Sequence, residues 1–521
     1  MSVQLETNGP RFVPPYRLNK SGVDFLGMRQ VNLDMMINCL PGFNNATWYV
    51  RPFSVVSWIY WKFHQLSERR GSRKVTTEEL KVWKEKVETL FTWGHKLEDV
   101  GGIPGTDAKA PGPRAVPLNF AAWNRSSLNT SLMAAVQYGP AAKTIDGFGF
   151  LEPLGQGFFQ TVNDGVALAE ALDTELRGFT LLNELGAATA APEDASELYS
   201  AWTILEPSER EQEAFRRSFF NPDTVGEQTP LGRRSTTVRL AIEALESARK
   251  PLTADEVRVH MFRGLDGSKR TDSVDPRLKR MWLCWVVLQI RQCQRLGMEG
   301  LLSWLERQLE LGYRDTDAVV KQTLKAIKAH EELFPLQSPI RALNLLQEQL
   351  PSFNEALRQT EVEPALDPFR LMEETRKAIL NKSESTAPFC LRSLFLCAAL
   401  ALLLRSEASV KAELERGASD RVSLNFWADN LLRWGSSGLE EFLRHFFESL
   451  ILSQHFAVAA RRFDGQRQRL RISIEEDGLE FLAAPPFVPS VTPDRLYTAL
   501  SLMADCGLIG WDDAQDGYIA R

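Results

Sequence analysis

The residues with the clearest capacity for chemistry are basic and lie near the C-terminal end: Arg461, Arg462, Arg467, Arg469 and Arg471. The segment ARRFDGQRQRLRISIEEDGLEFL alternates residue by residue from Arg467 to Ile474 and turns at Asp477-Gly478, which is a hairpin pattern. Strand side chains alternate between faces, so Arg467, Arg469 and Arg471 are expected on one face while Leu470, Ile472 and Ile474 point to the core. Three guanidinium groups in a row have the donor geometry to grip phosphates, and such contacts position a protein on nucleic acid without reading its sequence. The alternative is a solvated strand face, or pairing with Glu475, Glu476 and Glu480 across the hairpin. A second basic run, Arg69, Arg70, Arg73 and Lys74, falls in an expected loop and reads as solvated.

A second constellation sits in LPGFNNATWYVRPFSVVSW, residues 40–58. Pro41-Gly42 forces a turn, Asn44, Asn45 and Thr47 offer side-chain caps, and Arg51 is set inside an aromatic cluster. A buried arginine needs a counter-charge, for which Asp24 and Asp34 are the candidates. Asp24, Asn45, Thr47 and Arg51 are therefore expected either to organise the N-terminal region or to line a cleft for an outside anion.

Machinery for conversion is mostly missing. The chain has no GxxxxGK[ST] phosphate loop, no GxGxxG, no GxSxG elbow, no HExxH and no EF-hand loop. Its histidines (His64, His95, His260, His330, His445, His455) are spread singly, without the i, i+3 or i+4 spacing that places two ligands on one helix. Acidic pairs such as Glu78-Glu79, Glu331-Glu332 and Glu440-Glu441 read as solvated helix faces. A metal-dependent nuclease assembled from dispersed carboxylates stays open as the enzymatic alternative. No catalytic residue, metal ligand or cofactor is expected.

The elements that must position these groups are mainly helical. An aromatic helix spans Trp48–Phe63, and the TTEE sequence at Thr76–Glu79 starts another through a capping box. Residues 101–117, dense in Gly and Pro, read as a loop. Residues 126–136 read as a helix, 147–159 as a hairpin, and TVNDGVALAEAL from Thr161 as a further helix. Between Thr236 and Phe262 two helices flank a turn at Pro251, with a capping box at Thr253 and Glu256. This pair fits a helix-turn-helix regulator or an ordinary helical hairpin. Residues 278–309 read as two apolar helices hinged near Gly297 and Gly300. After the Arg-bearing hairpin, a helix following Thr492-Pro493 and a closing hairpin in LIGWDDAQDGYIAR complete the chain.

The expected fold is a mainly α, multidomain helical protein with a small C-terminal α+β, winged-helix-like unit. Five consecutive units are drawn: an aromatic-rich helical domain at 1–100 that begins with an extended arm over the first 22 residues, a small winged-helix-like unit at 118–180, a central helical domain at 187–380, a helical domain at 381–463, and the hairpin-helix-hairpin unit at 464–521. A length of 521 residues supports several cores. The net charge of −6 excludes a global positive field that would draw the chain to nucleic acid, so any DNA contact must be local. Six scattered cysteines without a CxxC pair read as reduced thiols in a cytoplasmic protein. The longest apolar run, Leu394–Leu404, is shorter than the roughly 20 residues a bilayer-spanning helix needs, so no membrane partner is expected.

The N-terminal third resembles a group of uncharacterised bacterial proteins found near anti-phage defence genes. The resemblance rests on Asp24, Leu26, Gly27, Pro41, Gly42, Asn44, Asn45, Thr47, Arg51 and Phe53, and on the later Thr161, Gly165, Leu168 and Ala169. It implies a role in a bacterial defence system and carries over no catalytic residue. Joined to the missing motifs, it leads to the expectation of a non-catalytic subunit of a defence or DNA-processing complex. Its partners would be other protein subunits, with DNA reached through the local basic patch.

Overall fold

Apolar residues recur at helical spacing along most of the chain, and the computed structural model turns most of that pattern into helix. It describes residues 17–18, 24–69, 75–105, 117–120, 131–143, 147–185, 189–264, 274–463, 467–482 and 485–521. The helices up to the middle of the chain are α1 (Met28–Cys39), α2 (Arg51–Glu68), α3 (Thr77–Leu97), α4 (Tyr138–Ala142), α5 (Asp164–Leu176), α6 (Pro192–Trp202), α7 (Glu209–Phe219), α8 (Pro230–Ala248), α9 (Ala254–Arg263) and α10 (Pro276–Glu310). After them come α11 (Thr316–Ala329), α12 (Pro339–Gln349), α13 (Phe353–Val362), α14 (Pro368–Leu380), α15 (Thr386–Leu404), α16 (Lys411–Leu414), α17 (Leu424–Trp434), α18 (Leu439–His445), α19 (Ser453–Arg461) and α20 (Leu496–Asp505). The strands are short: β1 (Arg17–Leu18), β2 (Leu118–Asn119), β3 (Leu151–Gly155), β4 (Phe158–Thr161), β5 (Thr189–Ala190), β6 (Arg467–Gln468), β7 (Ile472–Glu475), β8 (Gly478–Phe481), β9 (Ile509–Asp512) and β10 (Gly517–Ala520). They form two-stranded pairs, of which β3-β4, β7-β8 and β9-β10 are antiparallel hairpins. The fold is mainly α, with strand hairpins in its C-terminal part.

The chain divides into two compact units, each built from separated stretches. The first takes residues 1–32 and 289–492, the second residues 33–288 and 493–521. This differs from five consecutive domains because burial, not order along the chain, decides membership. The stretch 464–521 is itself divided: β7-β8 belongs to the first unit, α20 and β9-β10 to the second.

In the first unit α15 is the core helix, buried along nearly its whole length, with Phe395 in ring contact with Phe334, Trp427 and Phe442. It is long and apolar enough to cross a membrane by length and composition, yet 78% of the span is buried inside the protein. Helix α10 runs unbroken through Gly297 and Gly300, where a hinge is expected. The reason is close packing on α15: a Cβ at Gly300 would lie 2.5 Å from Cys390 Sγ, and one at Gly297 3.1 Å from the Cys390 carbonyl.

In the second unit the aromatic sequence forms α2, whose Phe53 touches Tyr138, Phe148, Phe150 and Phe215. The Thr76/Glu79 capping box is present and opens α3. Of residues 126–136, expected to be helical, 126–130 lie outside the described residues. Residues 131–137 are bends and turns closed by the Gly139 N–H on the Leu132 carbonyl, and only α4 follows as helix. Arg70, Arg73 and Lys74 of the second basic run, most of the expected N-terminal arm and residues 106–116 of the Gly/Pro loop also lie outside the described residues.

Candidate functional site

Two segments far apart in the sequence meet in the second unit. The turn after α8 brings Leu252 beside Tyr518 of β10, and the two exchange both backbone hydrogen bonds, at 2.9 and 2.8 Å. Leu252 thus joins the β9-β10 hairpin as a single bridging residue. Helix α9, started by the Thr253/Glu256 capping box, packs on α8 and α20, and α8 packs on β10. Helix α8, the Leu252 bridge, α9, α20 and the β9-β10 hairpin thus make a winged-helix-like arrangement. Arg258 of α9 fastens the α20 entry, donating to both carboxylate oxygens of the buried Asp494 at 2.6 and 3.0 Å.

The unusual stretch after α1 lies along α20. Asn45 Nδ2 donates to the Pro493 carbonyl (3.1 Å), the Trp48 ring meets Tyr497 edge-on at 5.4 Å, and the Val50 N–H donates to Asp505 Oδ2 (2.5 Å). The segment therefore follows the helix from before its first residue to its last. Its own shape comes from Asn44 and Thr47, which bond each other and the turn between them. The Leu40 and Pro41 carbonyls accept from Arg495 and Arg234 at 3.1 Å each. Gly42 has φ +104°, and a Cβ there would sit 2.6 Å from Arg234 Nη1.

Arg51 is buried, as expected, but its carboxylate is Glu211 at 3.1 Å rather than Asp24 or Asp34. It also donates to the Ala201 and Glu206 carbonyls. Asp24, in the first unit, accepts from Arg462 Nη2 at 2.6 Å and from the Arg29 N–H at 2.9 Å. Asp24, Asn45, Thr47 and Arg51 are each engaged by the protein's own groups.

The basic group near the C-terminal end is also largely engaged internally. Arg461 pairs with Asp420 at 3.2 Å and Arg462 with Asp24. Arg471 departs furthest from the expected alternation. It is 4% exposed and pairs side-on with the fully buried Glu306 of α10, at 2.5 and 2.9 Å. Its guanidinium also lies 4.8 Å from the Phe25 ring centroid. Ile474, expected inside, is 69% exposed. The physical reason is that Arg471 occupies a bend just before β7, so alternation starts at Ile472, and the buried Glu306 carboxylate draws the nearest guanidinium inward. Arg469 is half-buried, and the Arg467 side chain lies outside the described residues.

The buried histidines are structural. His95 Nε2 accepts from the Ile204 N–H (3.0 Å), which leaves Nδ1 to donate to the Phe91 carbonyl (2.7 Å). His455 repeats the arrangement between the Arg471 N–H and the Phe25 carbonyl. Burial lowers both, to about 4, so both are neutral at pH 7. Burial pushes Asp505 up to about 7, opposed by the Val50 N–H. A cleft of about 450 Å³ opens beside α5 and α7, lined among others by Trp61, Asp173, Arg177, Arg210 and Arg217. Its Asp173 already accepts from Lys62 and Trp58, and its Glu213 accepts from Arg217. Among the described residues no three His, Cys, Asp or Glu side chains gather where they could hold a metal ion.

The signal for the composite module was present in two halves, a helix pair at 236–262 and a helix-hairpin at the C-terminus, but no local pattern joins them. No protein family, curated protein or solved structure matches the chain.

Proposed function

We propose that this chain is a non-catalytic subunit of a bacterial anti-phage defence or DNA-processing complex, working in the cytoplasm by holding a partner protein. The observation that carries the reading is the state of α20. A helix that reads a DNA groove presents polar and basic side chains to base edges and phosphates. The sequence LYTALSLMAD has neither Lys nor Arg, residues 45–50 run along it, and the wing that follows holds Asp512, Asp513 and Asp516. Such a surface repels phosphate and suits protein contact. The internal pairing of Arg461, Arg462 and Arg471 weighs the same way. The resemblance of residues 24–53 and 161–169 supports the defence context, and six buried cysteines, none in a disulfide, suit a reducing compartment.

The test is affinity purification of the tagged full chain from its host, with nuclease treatment. A protein retained in fixed stoichiometry after DNA and RNA are digested is the expected result. A purified chain that by itself cleaves DNA with added Mg²⁺ or Mn²⁺ contradicts the reading.

A further inference from the structure

We infer that the outer edge of the winged-helix module is a docking surface for an arginine-bearing segment of the partner protein; the inference rests on the partner-binding reading above. The surface is a row of aromatic rings. Trp48, Tyr497 and Trp511 are 38, 49 and 43% exposed. Trp48 meets Tyr497 edge-on, and Trp511 meets Tyr518 edge-on at 4.8 Å. Ser501, one turn beyond Tyr497 on α20, lies 3.4 Å from the Tyr518 hydroxyl, which closes the row between its two ends. Large rings held half-open on a rigid helix and hairpin lose little conformational freedom on binding, and Trp and Tyr are the residues in which interface energy concentrates.

Charge selects the occupant. The wing turn carries Asp512, Asp513, Asp516 and no basic residue. Of the basic groups beside α20 and the hairpin, Arg258 pairs with Asp494 and Lys250 with Glu256, while Arg495, Arg216 and Arg521 donate to the Leu40, Cys506 and Gly507 carbonyls. Exposed aromatic faces next to uncompensated carboxylates match a guanidinium, which stacks on a ring while its edge donates to carboxylate oxygens. A phosphate backbone meets the opposite sign.

Asp512 is left intact in the test because its Oδ1 holds the turn through the Ala514 and Gln515 N–H groups. Asp513 and Asp516 are exposed, and Asp516 at φ +51° accepts Asn readily. The probe is a synthetic peptide of alternating Arg and Gly, titrated into the full chain at physiological salt and compared with an alternating Glu and Gly peptide and a short DNA duplex. The expected result is binding of the Arg peptide alone, weakened about tenfold or more by Trp511→Ala or Tyr497→Ala, and several-fold by Asp513→Asn with Asp516→Asn, each worth on the order of 1 kcal/mol or more. Trp511→Phe keeps most of it, and Glu331→Gln with Glu332→Gln, in the first unit, leaves it unchanged. Equal binding by wild type and Trp511→Ala, equal loss in the Glu331/Glu332 control, or tighter binding of the duplex overturns the inference. If wild type and Trp511→Ala capture the same partner equally from the host, the surface is wrong while the subunit reading stands. Absence of any captured partner sinks the subunit reading itself.

Discussion

Leu252 and Tyr518 pair through an antiparallel β-bridge although one lies before and the other after the whole of α10 to α20. Through this pair the last residues of the chain complete a module begun at α8. Deleting residues 508–521 should therefore loosen α8 and α9 as well as α20. Hydrogen exchange is the readout: amides of 236–262 lose protection while those of α15 keep it. The milder Tyr518→Ala removes a buried ring and is expected to cost about 3–5 kcal/mol.

Arg471 and Arg469 look equivalent in the sequence and are opposite in the structure. Arg471→Ala leaves the buried Glu306 without its counter-charge, and a cost of about 3–5 kcal/mol is expected in chemical denaturation. Arg469→Ala should stay within about 0.5 kcal/mol, as substitutions away from buried pairs do. Equal effects would show that the Arg471–Glu306 pair does not anchor the β7-β8 hairpin.

Gly300 in α10 separates a hinge from a contact. Alanine is the better helix former by about 1 kcal/mol, so a hinge or plain helix position would tolerate or gain from Gly300→Ala. Contact with Cys390 Sγ predicts a loss of about 1–3 kcal/mol instead, measured by thermal or denaturant unfolding.

Two buried sites give pH signatures of opposite sign. His95 titrates near 4 when folded and near 6.5 when unfolded, so the unfolded chain takes the proton first. Its contribution is complete above about pH 6.5 and is lost as pH falls toward 4. Asp505, pushed up to about 7, contributes at acid pH, below its unfolded value, and loses that contribution as pH rises through 7. Asp505→Asn keeps an acceptor for the Val50 N–H. It should raise stability at pH 8 by on the order of 1–2 kcal/mol and change little at pH 4. His95→Gln should flatten the fall between pH 6.5 and 4.

Local signals in the sequence were legible where the physics is local. The capping boxes at Thr76/Glu79 and Thr253/Glu256, the helix of TVNDGVALAEAL and the closing hairpin through Asp516-Gly517 all follow from neighbours a few residues apart. What stayed hidden depends on distant partners. Nothing near Arg51 names Glu211, nothing near Arg471 names Glu306, and nothing near Pro251 names Tyr518. The glycines of α10 were ambiguous for the same reason: Gly300 serves Cys390 on another helix.

Contact with protein and contact with nucleic acid make opposite demands on the surface around α20. Fluorescence anisotropy of labelled duplex DNA with the full chain, from 50 to 200 mM salt, asks this directly. The predicted result at 150 mM is a Kd no tighter than about 100 µM, the weak end of non-specific binding, with no change on Tyr497→Ala. A nanomolar Kd that is lost on Tyr497→Ala, or that rises steeply with salt, would contradict a protein-contact role.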